Sequence, residues 1–220
     1  MTGVQTCALP IFTEYVQREF NRADRLANDK RKGTVGFALT ILQRRLASSP
    51  EAIFQSLRRR LERLEDRLRE ERLLRRGAAA PAAALTDTEA LSEEELEDLE
   101  DSPEPEAEQT EAQVIDQSTA AQTLAELEAE IATLKDLAQQ ALRLRRSQRD
   151  TKWQRLSETL DLPDMFDANQ CRRKLVIFTE HRDTLNYLGE RLGTRLGNPS
   201  SVVTIHGGTP REKRRQAQEA

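Results

Sequence analysis

Two short polar clusters hold the residues best suited to chemistry: Thr179-Glu180-His181 after the apolar run Leu175-Val176-Ile177-Phe178, and His206-Gly207-Gly208 after Val202-Val203-Thr204-Ile205. By periodicity alone such a run fits either a buried strand or a buried helix segment, but its length and branched residues favour a strand of a parallel sheet. Leu185, Leu188 and Leu192 lie between the runs at helical spacing. Strand, helix and strand in that order predict a right-handed parallel crossover, which puts both polar clusters at one carboxyl edge, where ligands of open α/β sheets bind. Gly207 and Gly208 permit close backbone approach, and Thr209-Pro210-Arg211-Glu212 has the spacing of a capping box, so a helix N-terminus with free N–H donors would face an anion such as a phosphate. Taken alone, a Gly-Gly pair before a helix is more often just a tight connection, and the run Arg211, Lys213, Arg214, Arg215 is more often a solvated face. His181 and His206 could suggest a metal or an acid–base pair, yet no Cys, Asp or Glu sits at ligand spacing around both, so no metal site is expected.

The elements that must position these clusters are mostly helical. From Phe12 to Lys32 the residues Phe12, Tyr15, Val16, Phe20, Ala23 and Leu26 mark one helical stripe, with Gly33 as punctuation. A second helix from about Thr34 to Ala47 is too apolar around its circumference to stand alone in water. Ser48-Ser49-Pro50-Glu51 reads as a stop and restart, because a serine oxygen can accept from free backbone N–H groups and Pro50 suits a first helical turn. Ile53, Leu57, Leu61, Leu64 and Leu68 then form a narrow seam up to about Arg76. Leu124, Leu127, Ile131, Leu134 and Ala138 form a matching seam within Thr119 to Arg146, and the two predict an antiparallel helical hairpin. Trp153, Leu156 and Leu160 extend a short helix that Asp161-Leu162-Pro163-Asp164 breaks.

Charge is segregated along the chain: 33% of the 220 residues are charged and the net charge is −4, but no Lys or Arg occurs from Gly77 to Leu134. The acidic stretch Glu93 to Glu111, with Pro103 and Pro105, has little to bury and is expected to be disordered or transiently helical. With 37% hydrophobic and 4% aromatic residues, a large single core is not expected. Cys7 and Cys171 form neither a disulfide framework nor a zinc spacing, which fits a reducing cytoplasm. No apolar run is long enough for a membrane span, and the opening residues lack the pattern of a signal peptide. Residues 1–11 share no pattern with the charged helix after them; they resemble translated adapter sequence or a disordered terminus and are not expected to join the fold.

The run Lys174 to Leu192 followed by Val202 to Pro210 resembles the start of the second RecA-like lobe of superfamily-two helicases, especially the Swi/Snf-related group. Thr179, Glu180 and His181 align with the motif IV loop, and His206 with Gly207 aligns with the later His-Gly element. The stretch Gly36 to Phe54 is similar to the segment between the two motor lobes of bacterial members, and the order of bridging helices, acidic spacer and second lobe agrees. The resemblance implies nucleic-acid binding by Thr179, Glu180, His181, His206, Gly207 and Arg211, with double-stranded DNA as partner beside a missing first motor lobe, and no membrane partner. It implies ATP and Mg2+ as cofactors of a parent helicase or translocase. The phosphate loop Gly-x-x-x-x-Gly-Lys-Ser/Thr and the acidic magnesium-binding motif are absent from the sequence, and the later motifs of the lobe would lie beyond Ala220. The chain alone is therefore expected to bind neither cofactor and not to hydrolyse ATP.

The expected fold is mainly α with a partial α/β unit: an antiparallel helical hairpin followed by the truncated start of a RecA-like parallel sheet. Its parts are a leader at 1–11, inter-lobe helices and first hairpin arm at 12–76, an acidic disordered spacer at 77–118, a second arm and linker at 119–170, and the partial lobe at 171–220. A coiled-coil scaffold and a stand-alone nucleic-acid-binding module are the readings from other classes.

Overall fold

A computed structural model of the chain describes residues 5–77, 85, 90–101, 105–147 and 149–219. The first helix, α1, runs over Gln5–Ala23. It takes in the later part of the leader, contrary to expectation, and carries Pro10, which has no N–H to donate, inside it. The chain turns at 24–28 and restarts as α2, Asp29–Ser48, where the Asn28 side chain accepts from the N–H of Arg31 at 3.2 Å. That cap, and not Gly33, separates the two helices. Gly36 lies inside α2, where a side chain would press on the Phe20 ring of α1.

The Ser49 hydroxyl accepts from the N–H of Ala52 at 3.1 Å and opens α3, Pro50–Gly77. The second arm, α6, spans Leu124–Arg146 and begins with a capping box between Thr123 and Glu126. An ion pair between Glu51 and Arg145, with Glu65–Lys135 at 2.7 Å and Arg72–Glu128 at 2.8 Å, fixes the arms as antiparallel, since residue numbers fall along α6 as they rise along α3. These pairs lie at the solvent-facing edges and contribute little each. Burial of Ile53, Leu57, Leu64 and Leu68 against Leu127, Ile131, Leu134, Leu137 and Ala141 supplies most of the cohesion. Leu61 is only partly buried, and Arg60 takes the inner position instead.

Arg60 is 1% exposed and Glu130 0%. The guanidinium donates to Glu130 Oε1 at 2.8 Å, to the Tyr15 hydroxyl at 3.1 Å and to the Ile115 carbonyl. The other Glu130 oxygen accepts from Thr119 Oγ1 at 2.5 Å. Burial pushes the Tyr15 hydroxyl well above the ordinary phenol range, so it stays protonated as a donor to Glu130. This network joins α1, α3, α6 and the irregular segment before α6. Arg31 of α2 holds the same segment by donating to the carbonyls of Thr119 and Ala121.

The acidic spacer, expected to be disordered or transiently helical, includes two packed helices. Residues 78–84, 86–89 and 102–104 of it lie outside the described residues. The rest includes α4, Glu93–Asp101, and α5, Pro105–Gln117, which pack on each other, with α4 also on α2 and α5 on α2 and α3. Composition concealed the anchors: Leu96, Ile115 and Leu85 are buried, and the N–H of Leu91 donates to Thr34 Oγ1 of α2 at 3.1 Å. Cationic partners are supplied by α3, where Arg59 lies 3.6 Å from Asp116.

After α6 come α7, Thr151–Leu160, α8, Arg182–Leu196, and α9, Arg211–Glu219. The mainly helical class holds, but the expected parallel sheet does not appear: there is no β-strand among the described residues, only an isolated antiparallel bridge between Phe166 and Arg172. Residues 174–179 and 202–206 lack ladder partners, and Phe178 is 92% and Val176 72% exposed. A parallel pair is stable only when both faces are covered by further elements, and here neither run has a neighbouring strand.

Candidate nucleic-acid interface

Thr179, Glu180 and His181 lead into the N-terminus of α8, which is seated on the elbow between α2 and α3. Thr184 in the first turn shares hydrogen bonds of 2.8 Å with both Ser48 Oγ and Ser49 Oγ. Asp183 accepts from Arg59 at 3.1 Å, and Glu180 lies 3.8 Å from Arg44. His181 is the N-cap residue, yet its side chain makes no capping bond. It is 9% exposed, and its Nε2 is buried without a hydrogen-bond partner. Burial holds its pKa below the ordinary imidazole value, with Arg45 and Arg44 acting in the same direction and Glu180 and Asp183 against it.

Side chains tie the middle of α8 to α7. Arg191 lies over the rings of Trp153 and Tyr187, at 5.1 and 4.8 Å from their centroids. The Tyr187 hydroxyl donates to Asp150 Oδ2 at 2.9 Å, and the same Asp150 caps α7 through Oδ1. Gly193 lets the turn at Pro199–Ser201 come close, since a side chain there would meet Pro199 backbone at 3.3 Å.

His206 belongs to a separate tight turn. Its N–H donates to Thr209 Oγ1 at 2.9 Å, and its Nδ1 accepts from the N–H of Gly208 at 3.1 Å. The Thr209 hydroxyl thus turns back toward His206 and not forward into α9, contrary to the capping-box expectation. Arg214 donates to the carbonyls of Thr209 and Gly207, and Arg215 pairs with Glu212. Arg211 and Lys213 are exposed.

Of the six residues singled out in sequence, the structure places Thr179, Glu180 and His181 at the α8 seat and His206, Gly207 and Arg211 around the turn before α9. No hydrogen bond or ion pair among the described residues joins the two groups. His181 is covered, Glu180 is exposed beside Arg44, and Arg211 is exposed. Sequence reading missed Arg44, Arg59, Asp183 and Thr184, which build the seat. The Ser48-Ser49 pair was a partial signal, since two adjacent hydroxyls at a helix junction can serve another element besides the cap.

Among the described residues no group of three or more His, Cys, Asp or Glu side chains could hold a metal ion, and no helix is long and apolar enough to cross a membrane. A groove of about 600 Å³ between α1 and the start of α6 is lined by Arg18, Arg22, Arg25, Glu14 and Glu126 among others, with charges of both signs. No protein-family model, no curated protein and no solved structure matches the chain.

Proposed function

We propose that the chain supplies the inter-lobe helices and the opening segment of the second lobe of an ATP-driven helicase or translocase acting on double-stranded DNA, and that it has no turnover alone. The observation that carries this reading is the order of extended run, helix and extended run, in which Leu175, Val176 and Phe178, and then Val203 and Ile205, stand exposed. Burying a large apolar side chain stabilises by about 1.5–3 kcal/mol, so these runs have much to gain from strands laid beside them. On this reading they are adjacent parallel strands of a lobe completed by other sequence. The residues present do not fit ATP and Mg2+, because the chain has no phosphate loop and its described residues hold no cluster of acidic ligands, and no nucleotide step is assigned to it.

The scaffold reading loses its main support, since the seam on which assembly would depend is already occupied by pairing of α3 with α6. The accessible cations Arg211 and Lys213 are the residues we assign to binding of DNA phosphates. The test is anisotropy of a labelled DNA duplex titrated with the chain over a range of salt. Binding should weaken with salt, and Arg211→Glu should weaken it further and lower the salt slope by about 0.9 for each phosphate no longer neutralised. Salt-independent binding, or an unchanged slope in Arg211→Glu, would overturn the assignment. Nucleic-acid-stimulated ATP hydrolysis by the purified chain would overturn its inactivity.

A further inference from the structure

The seat of α8 contains a histidine in surroundings that suit only its neutral form. His181 stands at the positive end of a 15-residue helix, in the N-cap position, without the capping bond that would use its ring as an acceptor. The groups that face it are Arg44 and Arg45 from α2, Glu180 and Asp183 from its own segment, and, through Asp183, Arg59 of α3 with Asp116 of α5 behind it. Glu180 lies 3.8 Å from Arg44 and Asp183 3.1 Å from Arg59, so each carboxylate already has a cation beside it, and their pull toward the charged imidazole is outweighed by its burial. The buried Nε2 has no acceptor within reach to receive a proton it would then carry. A second histidine, His206, sits in the distant turn and accepts through Nδ1 from Gly208.

We propose that the α2–α3 elbow and the start of α8 form a pH-sensitive latch, closed while His181 is neutral and opened when the imidazole gains a proton. The cation would be buried beside two arginines and a helix N-terminus, and the simplest relief is for His181 to leave the seat, taking Thr184 off Ser48 and Ser49 and Asp183 off Arg59. By linkage, a histidine favoured neutral in the closed form stabilises closure above its free value of about 6.5, and this contribution is lost as pH falls below it. Asp116 titrates in the opposite sense, because its burial in the α5 joint favours the protonated acid, so acidification does not loosen that joint through it. The latch stands without any nucleic-acid role. Its consequence, that opening exposes His181 beside the already accessible Glu180 to DNA, rests on the proposed function.

Trp153 is the chain's single tryptophan and lies under Arg191 of α8, so its emission reports the α7–α8 contact, while amide exchange in the first turns of α8 reports the seat. The experiment titrates the whole chain from about pH 8 to about pH 5 without nucleic acid, following Trp153 emission, far-UV circular dichroism and amide exchange across residues 182–196. The expected result is a shift of emission to longer wavelength and faster exchange in α8, with a midpoint below about 6.5, while helical dichroism persists. His181→Asn, a good neutral cap, should abolish the transition, and His206→Gln should retain it. The proposal is overturned if wild type shows no transition, if His181→Asn shows the same one, or if helical dichroism is lost at the same pH. Because no DNA is present, failure here leaves the DNA-binding assay to stand or fall separately.

Discussion

Replacing Glu130 by Ala isolates the energetics of the buried network. The substitution leaves the Arg60 guanidinium, 1% exposed, with only the Tyr15 hydroxyl and the Ile115 carbonyl as partners and no anion. Breaking a buried pair from one side costs about 3–5 kcal/mol, because the surviving charge has lost both water and its counterion. For a chain of this length that corresponds to a fall in melting temperature of roughly 6–20 °C. The double substitution Arg60→Leu with Glu130→Leu removes both charges and fills the space with apolar atoms. It strands the Tyr15 hydroxyl and the Ile115 carbonyl, at about 1–3 kcal/mol for each group left unsatisfied, and leaves the Thr119 hydroxyl only the bond it accepts from the N–H of Ala121. The double variant should therefore be less stable than wild type yet clearly more stable than the sum of the single changes predicts. Urea denaturation followed by circular dichroism measures the full cycle of wild type, Arg60→Leu, Glu130→Leu and the double variant, with Glu130→Ala alongside. Additivity within about 0.5 kcal/mol, or a Glu130→Ala protein as stable as wild type, would refute the view that these residues form one interdependent unit.

Leu134→Ala, at a fully buried position between the arms, should lower stability by about 2–5 kcal/mol in the same denaturation assay, and Leu73→Ala, exposed near the far end of α3, should change it little. Burial raises the Asp116 carboxyl to about 6 from an ordinary 3.8, despite Arg59 nearby, so the charged form is disfavoured in the folded chain. Folding stability should accordingly rise as pH falls through about 6, and Asp116→Asn should raise the urea midpoint above that pH with an advantage that vanishes as pH approaches 3.8.

The helical part of the fold was legible because its signal is local. Tyr15, Val16, Leu42, Leu57 and Leu134 are apolar at helical spacing and all are buried. Counting apolar residues alone placed Leu61 on the inner line, whereas the line that is buried runs Ile53, Leu57, Arg60, Leu64, Leu68. Arg60 lies three residues after Leu57 and four before Leu64, and Glu130 holds the same place between Leu127 and Leu134, so opposite charges at matched seam positions were a readable sign of a buried pair. The packing of the acidic helices was missed because low hydropathy hid a few well-placed anchors, Leu96 and Ile115 above all. The two apolar runs were read as strands from composition, but a strand is made by its neighbours, and composition carries no information on whether they are there. Of the candidate site, the loop residues could be named, but not the burial of His181, which depends on side chains more than a hundred positions earlier in sequence.

Both halves of the α3–α6 seam belong to one polypeptide, so forming it is a unimolecular event. Its stability should be indifferent to dilution, whereas a seam shared between separate chains melts at lower temperature as the solution is thinned. The hairpin can thus present its polar outer faces at any abundance without first waiting to find a mate.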